Sequence, residues 1–288
     1  MCELFKILQQ VVAVFFLVLV VAGAPLILQA RGEEVYFQPE RFIAHAALLV
    51  ENISDGTLGT YTLGRNERDI AGDILPFAEN SFLLLFFALL IAVTISIIFG
   101  MFLHRYRVVH IYQRILDIIS TVPDFVQVLF FMLAAIAFYK MTDIRLITLS
   151  PFSEANNNWF PTLILSVGPT LYLMKVVSLK YSQTCGEDYI RTALAKGMNV
   201  RYIILHHVFK NVKPFLIADM KKAISITIAN LFVVEYLLNV VGVTRFIFGE
   251  YQFSTAAIGL MLLLVISLVV YMLIWLILYL FERGFIYE

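Results

Sequence analysis

Apolar residues in this chain fall in long runs, not at the alternating or 3.6-residue positions that line a soluble core. Six stretches are free, or nearly free, of Asp, Glu, Lys and Arg, and crossing a bilayer takes about 20 such residues. They run from Ile7 to Ala30, Asn80 to Leu103, Ile118 to Tyr139, Asn156 to Met174, Ala223 to Arg245 and Tyr251 to Phe281. The third is interrupted by Pro123 and Asp124, and the fifth carries Glu235. Each stretch predicts a membrane helix. An even number of helices places both termini on the same side.

Composition agrees with the pattern. Hydrophobic residues make up 61% of the 288 and charged residues only 15%, where an ordinary globular domain is roughly half apolar. The fold class expected is therefore an all-α polytopic membrane protein. The net charge is zero, so the basic footprint of a nucleic-acid partner is missing.

The placement of charge gives an orientation. With the N-terminus inside, the inner segments hold 14 of the 21 basic residues, among them Lys6, Arg105, Arg107, Arg114, Lys175, Lys180, Lys210, Lys213, Lys221, Lys222 and Arg283. The outer segments hold the other seven, and nine acidic residues lie between Glu33 and Glu79. The positive-inside bias therefore predicts both termini in the cytoplasm of a multi-pass cell (inner) membrane protein. The start, Lys6 followed by an apolar run and Ala22-Gly23-Ala24, has the outline of a signal peptide. Pro25 directly after Ala24 makes a poor cleavage site, so residues 1–30 are expected to stay as a helix. Cys2 and Cys185 both fall on the inner side, which implies no disulfide framework. Asn52-Ile53-Ser54 fits a glycosylation acceptor, a pattern short enough to recur by chance.

Outside the spans little chain is left. Residues 31–79 form an outer segment with amphipathic pieces and a Gly-rich turn at Gly56-Thr57-Leu58-Gly59. That is too short for an independent enzyme domain and reads as a cap on the membrane part over residues 80–288. A second outer loop, Lys140 to Asn158, closes on three asparagines.

The inner loop from Val177 to Lys222 is the largest cytoplasmic feature. Ile190, Ala193, Leu194 and Gly197 follow i, i+3, i+4, i+7 spacing and give one small apolar face. Glu187 and Asp188 suit a helix N-terminus and Lys196 its end. Gly197 breaks the helix, Asn199 suits a continuing turn, and a second helical run covers Val200 to Phe209. Such a helix either lies on the lipid surface or docks on another protein, to which Ala193 and Gly197 would allow close approach.

The string Glu187-Asp188-Tyr189-Ile190-Arg191-Thr192-Ala193-Leu194-Ala195-Lys196-Gly197, with His207 and Asn211 beyond it, resembles the cytoplasmic EAA loop of ABC importer permeases of the oligopeptide, dipeptide and nickel group. Gly56-x-x-Gly59, Ile119–Phe125, Val233-Val234-Glu235 with Gly242–Arg245, and Phe281–Gly284 are similar to shorter motifs along the same family. The chain departs from it in lacking a Gly-Asp-Pro after the first helix. It also places Asp219, Lys221 and Lys222 where the family is apolar.

The resemblance implies a type I importer permease core with loop 187–213 as coupling element. Glu187, Asp188, Tyr189, Arg191, Thr192, Ala193, Ala195, Lys196, Gly197, His207 and Asn211 would form the ATPase contact. It also implies partners: a second homologous permease, two cytoplasmic ATPase subunits that bind ATP and Mg, and an extracytoplasmic substrate-binding protein. The chain has no GxxxxGK[ST], so it does not bind ATP by that motif and no cofactor is expected in it. Peptides are the implied cargo, with metal chelates such as nickel as the alternative.

Two carboxylates stand apart, because ionisable groups inside a membrane face a cavity or a partner. Asp124 is read as a helix-break cap or a pathway residue, and Glu235 as a pathway or inter-subunit residue. His206 and His207 form no ligand set at metal spacing and read as structural. No catalytic constellation is present in a soluble context, so no enzyme activity is expected. The competing functions are an ATP-independent ion- or proton-coupled transporter using Asp124 and Glu235, and a membrane scaffold or receptor subunit.

Overall fold

The computed structural model describes residues 2–31, 34–102, 114–115, 118–119, 121–144, 158–249 and 251–286. The basic hinge at Arg105–Arg114, except Arg114, and most of the Lys140–Asn158 loop lie outside the described residues. Most of the described residues are helical, as the apolar runs predict. Four helical stretches among the described residues are long and apolar enough to cross a membrane: Ile70–Phe102, Phe125–Thr142, Trp159–Cys185 and Phe253–Gly284. This is an integral membrane protein.

The chain forms two compact units. The first comprises residues 1–81 and 241–266. It opens with α1 (Cys2–Ile27), whose apolar part is Val12–Ile27. A small antiparallel pair, β1 (Leu28–Arg31) and β2 (Glu34–Phe37), then leads to the amphipathic α2 (Pro39–Ser54). Gly56 and Gly59 both take positive φ (75° and 81°), so the expected Gly-rich turn is a turn. A hairpin follows, β3 (Thr60–Leu63) paired with β4 (Asn66–Asp69). The two strand pairs escape the sequence pattern because runs of four residues are too short for a period to register.

Three contacts hold this unit together. The Gln252 side-chain amide pairs with the backbone of Thr62, accepting from its N–H at 3.0 Å and donating to its carbonyl at 2.6 Å. Tyr61 donates to Asp73 at 2.8 Å and packs edge-on against Phe246, 5.3 Å between ring centres. The Val243 N–H donates to Ser81 Oγ at 2.8 Å, tying the short α8 (Val243–Gly249) to the first helix of the core.

The second unit comprises residues 82–240 and 267–288. Helix α3 (Ile70–Ile97) begins ten residues before the expected Asn80 and ends in a π-helical stretch, Ile98–Phe102. Helix α4 is Asp124–Thr142, α5 is Trp159–Cys185 and α6 is Asp188–Ala195. Val200–Tyr202, the π-helical Ile203–Val208 and Phe209–Leu237 follow without a break in helical backbone and are together labelled α7. Helix α9 is Phe253–Ile286.

Membrane helices gain little from apolar burial against each other, so close fit and polar links decide their packing. At Gly100 a Cβ would stand 2.7 Å from Val177 Cγ1, so only glycine lets this stretch approach α5 so closely. The main partner of α5 is α7. Its buried side includes Leu216, Met220, Ala223, Thr227, Leu231 and Val234.

The structure corrects the fifth span. Expected from Ala223 to Arg245, the helix starts well before Ala223 and stops at Leu237. Asn239 then takes a left-handed φ of 55°, and the Val240 N–H closes back on the Glu235 carbonyl at 3.0 Å. Asp219, Lys221 and Lys222, expected in the inner loop, are therefore part of a continuous helix packed on α5.

Candidate functional site

The site is the turn between α5 and α7. Glu187 has extended backbone (φ −71°, ψ 145°), and its carbonyl accepts from the N–H groups of Ile190 and Arg191 at 3.1 and 3.3 Å. Carboxylates at 187 and 188 complement the positive end of the helix dipole. Thr192 donates to the Asp188 carbonyl at 2.9 Å. Arg191 and Asp188 approach at 3.7 Å, but both side chains are largely in solvent and such pairs contribute little.

Termination follows the glycine rule. Gly197 takes φ 73°, its N–H donates to Leu194 O at 2.9 Å, and Met198 N–H donates to Ala193 O at 3.3 Å. This is a Schellman closure with the glycine at its left-handed position. Asn199, read from sequence as a turn residue, instead caps the next helix: its side chain accepts from the Arg201 N–H at 3.0 Å.

The faces of α6 are assigned differently from the sequence reading. Ile190 and Ala193 are buried, because α6 packs on the end of α5 and on the π-helical stretch of α7. Half of the small apolar face expected to meet another protein, Ile190 and Ala193, is thus used within the chain, while Leu194 and Gly197 stay exposed. Glu187, Asp188, Tyr189, Arg191, Thr192, Leu194, Ala195, Lys196 and Gly197 remain exposed.

Tyr189, His207 and Asn211 come together. Asn211 Nδ2 donates to the Tyr189 hydroxyl at 2.8 Å and to the His207 carbonyl at 2.8 Å. Partial burial pushes the Tyr189 hydroxyl above its usual pKa, with the negative potential of Glu187 and Cys185 adding to the shift. His206 is occupied in packing, stacked 3.9 Å from Tyr202 with its Nδ1 at 3.2 Å from the Tyr202 carbonyl.

Behind the loop, α7 is fastened to the end of α9. Lys213 forms an ion pair with Glu282, both side chains mostly enclosed (12% and 15% exposed). Lys213 Nζ also lies 5.7 Å from the Tyr279 ring, and Phe209 meets Phe281 edge-on at 5.5 Å. Further along α7, Asp219 accepts a hydrogen bond from the Tyr172 hydroxyl of α5, and Lys222 Nζ sits 4.8 Å over the Tyr172 ring.

These partners are separated by 47 residues (Tyr172–Asp219) and 69 residues (Lys213–Glu282), and nothing in the one-dimensional pattern pairs them. The one sequence signal was that Asp219 and Lys222 stand where the family the chain resembles is apolar.

The two carboxylates fare unequally. Asp124 is the first residue of α4, preceded by Pro123 with extended backbone (ψ 139°); its side chain lies outside the described residues. Glu235 is 0% exposed. It shares the inner side of α7 with Leu231, Val234 and Leu238, while Tyr236 is the exposed neighbour. In this conformation of the single chain, Glu235 is thus enclosed by the chain's own helices.

Residues 92–285 match the family described as binding-protein-dependent transport system inner membrane component. Among curated relatives, the oligopeptide transport system permease protein OppB of Mycoplasma pneumoniae is 28% identical over 109 residues, 35% of this chain and 28% of its own length. The probable peptide ABC transporter permease protein y4tP of Sinorhizobium fredii is 25% identical over 167 residues, 55% of this chain and 53% of its own. The dipeptide transport system permease protein DppB of Bacillus subtilis is 28% identical over 86 residues, 30% of this chain and 28% of its own. The matches thus span between about a quarter and about half of these relatives' lengths. The family match itself covers two thirds of the chain and includes α5, the loop and α7. The chain belongs to the family of inner membrane components of binding-protein-dependent transport systems.

Proposed function

We propose that this chain is one half of the membrane pathway of an ATP-driven importer, with no catalytic chemistry of its own. It couples to a separate ATPase through the 187–213 loop. The observation that carries this is the loop's build. A short helix is stopped by the Gly197 closure and pinned by Asn211, and it holds an exposed face of Asp188, Arg191, Thr192, Leu194, Ala195 and Lys196 away from its own body. A rigid helix with one face packed inward and the other bare suits insertion in a groove of a second protein.

In this reading ATP and Mg belong to two partner ATPases, whose closure rocks the pathway helices. A second permease completes the pathway, and an external binding protein delivers cargo to the outer unit. The cargo class favoured is peptides, as the names of the relatives are those of peptide permeases. Both termini lie in the cytoplasm, with α1 and α7 crossing the membrane beside the four apolar spans. Moving Lys221 and Lys222 out of the inner loop leaves the excess of basic residues on the inner side.

The test is a cysteine at Ala195, on the exposed face, in a background with Cys2 and Cys185 replaced. It is expected to crosslink to a co-purifying ATPase, and hydrolysis by that ATPase is expected to rise when the chain is present. Purification without any ATPase, together with cargo flux through vesicles holding this chain alone, would overturn the reading.

A further inference from the structure

We infer that Lys175, Lys180, Lys221 and Lys222 hold the phosphate of an anionic phospholipid at the inner boundary of the membrane. This rests on the reading that the turn between α5 and α7 faces the cytoplasm. Trp159 opens α5 and is 47% exposed, and tryptophan settles at the membrane–water interface. A span of about 20 residues counted from Trp159 ends near Leu179, and no charged residue precedes Lys175 in it. Lys175 and Lys180 therefore bracket the inner edge of the hydrocarbon. Lys222 Nζ lies 4.8 Å over the ring of Tyr172, the i−3 neighbour of Lys175 on α5. That holds it about one turn inside Lys175, within reach of the same edge for a flexible lysine stem.

This part of the α5–α7 pair is strongly positive. From Tyr172 to Cys185 of α5 and from Pro214 to Ser225 of α7, the charged residues are the four lysines and Asp219. The Asp219 carboxylate is engaged by the Tyr172 hydroxyl. Lys175, Lys221 and Lys222 are exposed. Two of the ammoniums are held in place. Lys222 sits on the Tyr172 ring, and Lys180 lies 4.0 Å from the centre of the Phe215 ring while donating to Gln183 at 3.0 Å. Cations fixed on aromatic rings at headgroup depth suit a phosphate, and basic pockets between helices on the cytoplasmic side take anionic headgroups. Leu179 and Phe215 stand exposed beside them (57% and 45%) and offer bulky apolar contact to the acyl chains. Charge favours the lipid over a second copy of this chain, which would set the same four lysines against these. A second permease of different sequence is the competing occupant.

The experiment uses the assembled complex in phosphatidylcholine vesicles, with Cys2 and Cys185 replaced and a fluorophore on Leu179→Cys. Quenching is compared for nitroxide-labelled phosphatidylglycerol, which is anionic, and nitroxide-labelled phosphatidylcholine, which is zwitterionic. The anionic lipid is expected to reach half-quenching at about fivefold lower mole fraction. Lys175→Gln, Lys180→Gln, Lys221→Gln and Lys222→Gln together should erase that preference, and the four matching changes to Arg should keep it. The parent provides a second reading should the glutamine variant fail to assemble: its preference should shrink at least about twofold between about 0.1 and 1 M salt. A preference that ignores both salt and the four lysines overturns the site. So does equal quenching by the two lipids, or quenching by neither, as a second permease covering this face would give. None of these results touches the Ala195 crosslink, so the two proposals fail separately.

Discussion

Asn211 Nδ2 lies 2.8 Å from the Tyr189 hydroxyl, a bond between the exposed loop helix and the helix that returns to the membrane. It links α6 to α7, and the same amide also closes on the His207 carbonyl. One amide thus sets the angle at which α6 is presented. Asn211→Ala should lower crosslinking at Ala195→Cys several-fold and leave ATP hydrolysis poorly coupled to uptake. Each exposed bond of this kind is worth about 1 kcal/mol, so the protein should still fold. Tyr189→Phe should reproduce the defect, and the double variant should add little to either single change.

Gly197 is the second control point. Its φ of 73° costs a residue with a Cβ about 1–2 kcal/mol. Gly197→Ala should fray the end of α6 and reduce coupling. Gly197→Asn should be milder, because asparagine tolerates the left-handed region. Comparing the two variants for ATP hydrolysis in vesicles separates backbone strain from lost contact, since neither change removes a side-chain partner.

The Lys213–Glu282 pair should behave as an enclosed charge pair. Removing one member strands the other, at a cost of roughly 3–5 kcal/mol. Lys213→Met or Glu282→Leu alone should therefore lower the melting temperature in detergent clearly. The combined variant should recover most of the loss, because no uncompensated charge remains.

The loop should also respond to alkaline pH. The Tyr189 hydroxyl is held above its ordinary value of about 10, by partial burial first and by the charges of Glu187 and Cys185 next. A group raised in the folded state contributes fully below its unfolded pKa and loses that contribution as pH climbs through the folded value. Loop presentation should therefore be flat from pH about 6 to 9 and weaken above about 10. The tyrosinate absorbance difference between the parent and Tyr189→Phe should titrate with a midpoint above that of free tyrosine.

In the first unit, Gln252 stands in for a strand beside Thr62. Gln252→Ala removes both bonds and should make the 60–69 hairpin a preferred site of limited proteolysis in right-side-out vesicles, with the membrane helices untouched.

What the sequence disclosed was local. The start of α6 at Glu187 and its stop at Gly197 depend on neighbours a few residues away, so both could be read directly. Spacing also showed that Ile190 and Ala193 share a face. It could not show that this face is used up against the chain's own helices, because amphipathicity names a surface without naming what covers it. The fifth span was misplaced for a related reason: its residues 220–237 hold Lys221, Lys222 and Glu235. A hydropathy reading assumes lipid on all sides, and this helix meets protein on one side, where Glu235 lies, and carries Lys221 and Lys222 on another. The helical membrane class was nevertheless evident from the apolar runs, which need no long-range information, and the importer permease core from the resemblance carried by the 187–197 string.

The Phe209–Phe281 and Lys213–Glu282 contacts carry a mechanical consequence. They bolt the base of α7 to the tail of α9 directly behind the loop, so a push delivered at α6 has a load path into two membrane helices instead of one. In the coupling proposed above, the stiffness of that joint governs how much of an ATPase stroke reaches the bilayer and how much is lost as bending.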